Sequence, residues 1–143
     1  MKAIKTYLTE EIERGKDARI FIVIKPGFLK YSQQILQAFF DEDWEIEKQT
    51  SKQLLLKEAQ KLYSIHKKED WYKPLCEYMS SEKTTAFILV NHNMKMSKTV
   101  FEHTSKIKDE LREKYGESDM RNVIHSSDSL EHMKQEQAVY FAN

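Results

Sequence analysis

One cysteine, two prolines and three glycines are all that 143 residues hold of the types that staple, break or loosen a chain. The lone Cys76 excludes an internal disulfide and suits a reducing compartment. Set in Leu75-Cys76-Glu77-Tyr78-Met79, it reads as a buried structural thiol. Scarce glycine and proline argue against long irregular linkers, and the chain carries no internal repeat and no low-complexity tract. A long apolar run is missing too: the longest, residues 20–24, is far short of the roughly 20 residues of a membrane span and suits a strand. Net charge is absent, because 23 basic side chains face 23 acidic ones spread along the chain. A general nucleic-acid binder carries a basic excess. The charged first residues do not form a signal peptide. The expected address is therefore the cytoplasm, with neither nucleic acid nor membrane among the partners.

The length is that of one domain, enough to bury about 70% of the unfolded surface. Residues 1–18 read as an amphipathic helical extension with Ile4, Leu8 and Ile12 on one face, ended by Gly15, and residues 19–143 as the domain proper. The extension packs on its own domain or on a partner subunit. Residues 19–25 form a β-branched and aromatic run, a central strand stopped by Pro26-Gly27. A helix follows, marked by Ile35, Leu36, Phe39 and Phe40. Residues 44–50 alternate as a modest strand. Residues 52–66 and 71–80 suggest a helical hairpin, with Leu55, Ala59, Leu62 and Tyr63 recurring on the first member. Residues 84–90 read as a buried strand, 98–115 as a charged helix, 122–125 as the last strand, and Leu130, Met133, Gln137 and Tyr140 as the stripe of the last helix. This order predicts an α/β protein, a ferredoxin-like sandwich: a four-stranded antiparallel sheet with helices on one face.

The most informative stretch is Arg121-Asn122-Val123-Ile124-His125-Ser126-Ser127-Asp128-Ser129. An apolar pair ends in a histidine, and small or acidic residues that start helices follow. A strand end feeding a helix start holds a side chain rigidly at a sheet edge. Imidazole is the side chain whose ordinary pKa lies near neutrality, so it is available there as an unprotonated nucleophile. A histidine so placed is, taken alone, more often structural. Lys25 ends the first strand, where a simple strand-end charge is the plain reading.

Taken together, Ile20-Phe21-Ile22-Val23-Ile24-Lys25-Pro26 and the histidine stretch resemble the nucleoside diphosphate kinase family. That family has a strand ending in Ile-Lys-Pro and a later Arg-Asn-x-Ile-His-Gly-Ser-Asp-Ser. The likeness runs from about Ile20 to Phe141. It implies the same sandwich and a ping-pong transfer, in which His125 takes the terminal phosphate of a nucleoside triphosphate and passes it to a nucleoside diphosphate. Glu136, eleven residues on, is implied as the carboxylate that holds the non-attacking ring nitrogen, with Ser127 completing the network. Lys25 and Arg112 are implied as phosphate cations, Tyr63 and Asn122 as contacts to phosphate and sugar hydroxyls. Trp71, with Leu75 one turn later, is implied as the nucleobase surface; stacking reads only a π-face and tolerates every base. Mg²⁺ would come with the nucleotide phosphates, and no histidine grouping suggests a protein metal site.

The chain departs from the family at several points. Gly27 follows Lys-Pro, Ser126 replaces the glycine after the histidine, and Ser81-Glu82-Lys83 replaces Ser-Gly-Pro. Around Arg112 the family's Gly-Thr-Ile-Arg-Gly-Asp is lost, and the loop that shapes the site and the hexamer is shortened. The remaining phosphate contacts fall on Lys98 or Thr99, and on Thr104 or Ser105. A homo-oligomer, a dimer at least, is expected, with a dimer or another assembly at least as well supported as the family's hexamer. The leading function is therefore nucleoside diphosphate kinase. Its alternative is a degenerate nucleotide-binding sensor or scaffold with little turnover, and a third class is a pure interaction domain, since the sandwich hosts many functions.

Overall fold

The computed structural model describes residues 15–141. The first fourteen residues of the proposed N-terminal helix lie outside them. Gly15 adopts φ +87°, and the first strand already begins at Asp17. Asp17 and Ala18, read above as part of the helix, thus belong to the sheet.

Four strands, β1 (Asp17–Ile24), β2 (Glu45–Lys52), β3 (Thr84–Lys95) and β4 (Ile124–Ser126), form one antiparallel sheet in the order β2-β3-β1-β4. Five α-helices accompany them among the described residues: α1 (Ser32–Phe40), α2 (Leu56–Leu62), α3 (Tyr72–Met79), α4 (Lys98–Tyr115) and α5 (Leu130–Gln137). The sandwich expected from the element order is what the chain forms. It differs in one respect: Phe21, Ile22, Val23 and Ile24 are all fully buried. Adjacent strand residues point to opposite faces, so both faces of the sheet are covered. The helices α4 and α5 both pack on β1, the first in company with α1, the second with α2.

Several boundaries shift for physical reasons. β3 runs five residues past Val90 because polar partners extend it: Asn91 donates to the Glu42 carbonyl, while His92 and Lys95 both meet Asp17. β2 keeps pairing to Lys52, so the following helix starts at Leu56 and not at Lys52. Leu55, counted above among the recurring positions of the first hairpin helix, is 58% exposed. β2 is an edge strand in which half the residues are charged, a composition that discourages further pairing.

The turn after β1 sets the position of Lys25. Gly27 sits at φ +89°, and the Tyr78 hydroxyl donates to the Pro26 carbonyl. The Arg121 guanidinium lies over the Phe28 and Tyr78 rings at 5.8 and 5.1 Å. A Cβ added at Gly27 would stand 2.6 Å from Arg121 Nη2. The tip of Arg121 is long enough to give way, so the left-handed backbone decides the cost. Gly27→Ala should destabilise the fold by about 1–2 kcal/mol. Urea unfolding of the two proteins measures this directly, and equal midpoints would refute it.

Candidate active site

The sheet brings β4 alongside β1, with His125 opposite Val23 and Ile124 opposite Ile24. The histidine thus stands on the same face as Phe21, whose ring it meets edge-on at 6.3 Å. The Tyr63 ring, from the end of α2, closes a second side at 5.1 Å. From α5, Glu136 reaches in and places Oε1 2.5 Å from His125 Nε2. Ser127 donates to the same oxygen at 2.9 Å. His125 and Glu136 side chains are only 14% and 8% exposed. A carboxylate accepts, so the neutral ring carries its proton on Nε2 and leaves Nδ1 as the lone-pair nitrogen. Ser129 caps α5 by accepting from the His132 amide, which fixes the helix that carries Glu136.

The segment before the histidine is strained. Val123, buried and β-branched, has φ +85°, and the Ile124 amide donates to the Asn122 carbonyl at 3.1 Å. This is a γ-turn of the rare kind, a conformation that costs on the order of 1–3 kcal/mol. β4 therefore begins at Ile124, later than the sequence pattern suggests. The turn directs carbonyls toward cations. Arg112 Nε donates to Asn122 O at 3.1 Å and Nη2 to Ile124 O at 2.9 Å. Lys25 Nζ donates to Asn122 Oδ1 at 2.6 Å and to Met120 O at 3.2 Å.

His125, Glu136, Ser127, Lys25, Arg112, Asn122 and Tyr63 thus gather at one end of the sheet. The Tyr63 hydroxyl is buried without a hydrogen-bond partner among the described residues. Burial, reinforced by Tyr140 and Glu136, pushes its pKa well above the usual phenol value, so it stays a donor. Trp71 and Leu75 stand on the α2–α3 hairpin. Trp71 is 44% exposed, its ring tilted against His66 at 4.8 Å, whereas Leu75 is packed into the core. Of the open alternatives on α4, Lys98 and Ser105 line a cleft of about 690 Å³ between α4 and the β4–α5 turn. Thr104 is buried and donates to the Phe101 carbonyl of its own helix, and Thr99 bonds the Ser97 hydroxyl.

Sequence reasoning passes over Lys108, which lines the same cleft one turn before Arg112. The signal was available in the four-residue spacing of Thr104, Lys108 and Arg112 along a helix whose Ile107 and Leu111 face the core. It was hidden by the density of charge on α4.

With this geometry in place, comparison with known proteins gives one answer. The family profile described as nucleoside diphosphate kinase matches residues 18–143. The nucleoside diphosphate kinase of Kosmotoga olearia is 27% identical over 129 residues, covering 86% of this chain and 88% of the relative. That of Campylobacter lari is 30% identical over 126 residues, covering 84% and 92%. Among solved structures, the Aquifex aeolicus nucleoside diphosphate kinase superimposes with a TM-score of 0.73 at 25% identity, covering 87% of this chain and 95% of that one. The Encephalitozoon cuniculi enzyme shares the fold with a TM-score of 0.75 at 21% identity, covering 87% and 89%. These likenesses define a ferredoxin-like α/β phosphotransferase. The chain belongs to the nucleoside diphosphate kinase family.

Burial, with the nearby charges of Arg112 and Lys108, pulls the Lys25 ammonium from 10.5 down to about 7. Below about pH 7 Lys25 is protonated in both the folded and the unfolded chain, and the fold carries the full penalty of a buried charge. Between about 7 and 10.5 the unfolded chain keeps the proton and the folded chain does not, so stability rises with pH across that window. Lys25→Met should remove this slope. Denaturant titrations of both proteins at pH 7 and pH 10 test it: wild type should gain stability relative to the variant, and parallel behaviour would exclude a depressed Lys25.

Proposed function

We propose that this member of the nucleoside diphosphate kinase family, a phosphotransferase, carries phosphate on His125 Nδ1. The observation that carries the reading is the 2.5 Å contact between His125 Nε2 and Glu136 Oε1, shared by Ser127 at 2.9 Å. In the first half-reaction the Nδ1 lone pair attacks the terminal phosphorus of a nucleoside triphosphate. The N–P bond forms as the bond to the bridging oxygen breaks, and the diphosphate leaves with that electron pair. The ring becomes positive, and Glu136 opposite Nε2–H stabilises it without taking its proton. The second half-reaction is the reverse, with another diphosphate as acceptor. Each exchanges one phosphate linkage for another, so the chain must chiefly position groups and offset charge on the transferring oxygens.

The cations for that task are Lys25 and Arg112, now bonded to Asn122, Met120 and Ile124 acceptors, with Tyr63 as a neutral donor. An incoming phosphate competes for donors already aimed at this corner. Asn122 is placed to meet a sugar hydroxyl, and the exposed Trp71, backed by Leu75, offers a nucleobase one face of its ring. The nucleotide comes as its magnesium salt. Such an ion is liganded by phosphate oxygens and water. Exposed Phe40 at the end of α1 and Ile46 on β2 support a homo-oligomer, at least a dimer. A cytoplasmic setting suits the nucleotide substrates and the free Cys76 thiol; no helix among the described residues is long and apolar enough to cross a membrane.

The test is transfer from γ-labelled ATP with Mg²⁺. Wild type should take acid-labile, base-stable label that chases onto added GDP, and His125→Ala should take none. A chain that binds nucleotide yet never takes label is a sensor or scaffold, and the transfer reading then falls. Glu136→Gln keeps the shape but loses the charge opposite Nε2–H, and it should slow labelling by roughly 10²-fold. A rate within twofold of wild type would remove Glu136 from the mechanism.

A further inference from the structure

The cations at this corner are not equally committed. Lys25 and Arg112 each make two hydrogen bonds to acceptors in residues 120–124. Lys108 lies one turn before Arg112 on α4, and its side chain is only 12% exposed. Its ion-pair partner is Asp128 at 4.0 Å, and that carboxylate is itself 72% exposed. A half-buried ammonium has three donors to satisfy, and a long contact to a solvated carboxylate satisfies them poorly. Lys108 also lines the 690 Å³ cleft together with Ser126, Ser127 and Asp128. Ser127 in turn bonds Glu136, so one wall holds both the loose ammonium and the support of the histidine.

We infer that Lys108 is a phosphate-binding cation: a nucleoside phosphate entering beside the β4–α5 turn draws its ammonium from Asp128 onto the phosphate oxygens. The inference rests on the reading that nucleotide phosphates meet His125. Exchanging a loose, half-solvated pair for charge-assisted bonds to a dianion costs little and gains much. Burial and the neighbouring Arg112 pull the Lys108 ammonium below its ordinary value, while Asp128, Asp109 and Glu136 hold it up, so an arriving anion would further favour its charged form. Lys108 stands in the stretch where the family's phosphate motif is lost, and nothing in that motif assigns it a role.

A merely structural lysine would tie α4 to the β4–α5 turn, and its loss would weaken the free protein. A phosphate-binding lysine does the opposite: an apolar residue of similar length leaves the free protein as stable or more so. The test compares wild type, Lys108→Met and Lys108→Arg by Tm without ligand, by the Tm shift with ADP and Mg²⁺, and by single-turnover labelling of His125. Lys108→Met should keep or raise the ligand-free Tm, lose most of the ADP shift and label at least roughly tenfold more slowly, with Lys108→Arg within about threefold of wild type. If Lys108→Met shifts and labels as wild type does, or if its ligand-free Tm falls and Lys108→Arg fails to restore labelling, the inference is overturned. A wild type that takes no label, yet loses its ADP shift in Lys108→Met, keeps Lys108 and sinks the transfer reading. A wild type with neither label nor shift overturns both.

Discussion

Positive charge held out of water at one corner of the sheet is the constraint on which the rest of this site depends. Lys25, Lys108 and Arg112 come from β1's end and from α4, and burial, with repulsion between the neighbouring charges added to it, depresses the Lys25 and Lys108 ammoniums. Such a cluster survives only if acceptors are supplied nearby. The acceptors are the Asn122 side chain and the carbonyls of Met120, Asn122 and Ile124. β4 is the edge strand, so the Asn122 and Ile124 carbonyls face away from β1 and stay open to Arg112, at the cost of the strained γ-turn at Val123.

That strain and that repulsion are offset elsewhere. β1 is buried on both faces along Phe21, Ile22, Val23 and Ile24, and each such side chain contributes roughly 1.5–3 kcal/mol. The core therefore holds β1 and β4 in register while the corner between them remains unfavourable. The same packing fixes the histidine. Phe21 and Tyr63 confine its ring, and the capped α5 presents Glu136 to Nε2. Freedom is left at Nδ1, where a reaction needs it.

Periodicity made the sheet legible. β1 and the core of β3 are runs of β-branched and aromatic residues, and α4 was readable to its exact ends. What was missed lies where polar contacts, not apolar periodicity, set the structure. Residues 91–95 extend β3 through Asn91, His92 and Lys95, which carry no strand pattern of their own. Trp44 is buried beside β2, yet the strand it introduces is charged and exposed, so alternation there carried little information. The histidine and its glutamate were legible because their spacing matches a specific motif. Lys108 was not, since on a helix crowded with lysine and glutamate only burial separates one cation from the others. Val123 reads as an ordinary strand residue, and no local rule announces a positive φ for valine.

The connection between α4 and β4 decides how the cations of the site are held. α4 continues unbroken to Tyr115, and only residues 116–123 join it to β4. Arg112 and Lys108 are consequently set on a rigid helix, one turn apart, and their relation to each other does not depend on loop ordering. A cation on a loop pays conformational entropy when a ligand fixes it. A helical cation has met that cost on folding, and what it gives up on binding is its internal hydrogen bond. Arg112, with two carbonyl bonds, gives up more than Lys108, with one long contact to Asp128. On that argument the helix divides labour between its two charges. Arg112 braces the strained turn that presents His125 through two carbonyl bonds, and the phosphate role proposed for Lys108 would ask it to release only its contact to Asp128.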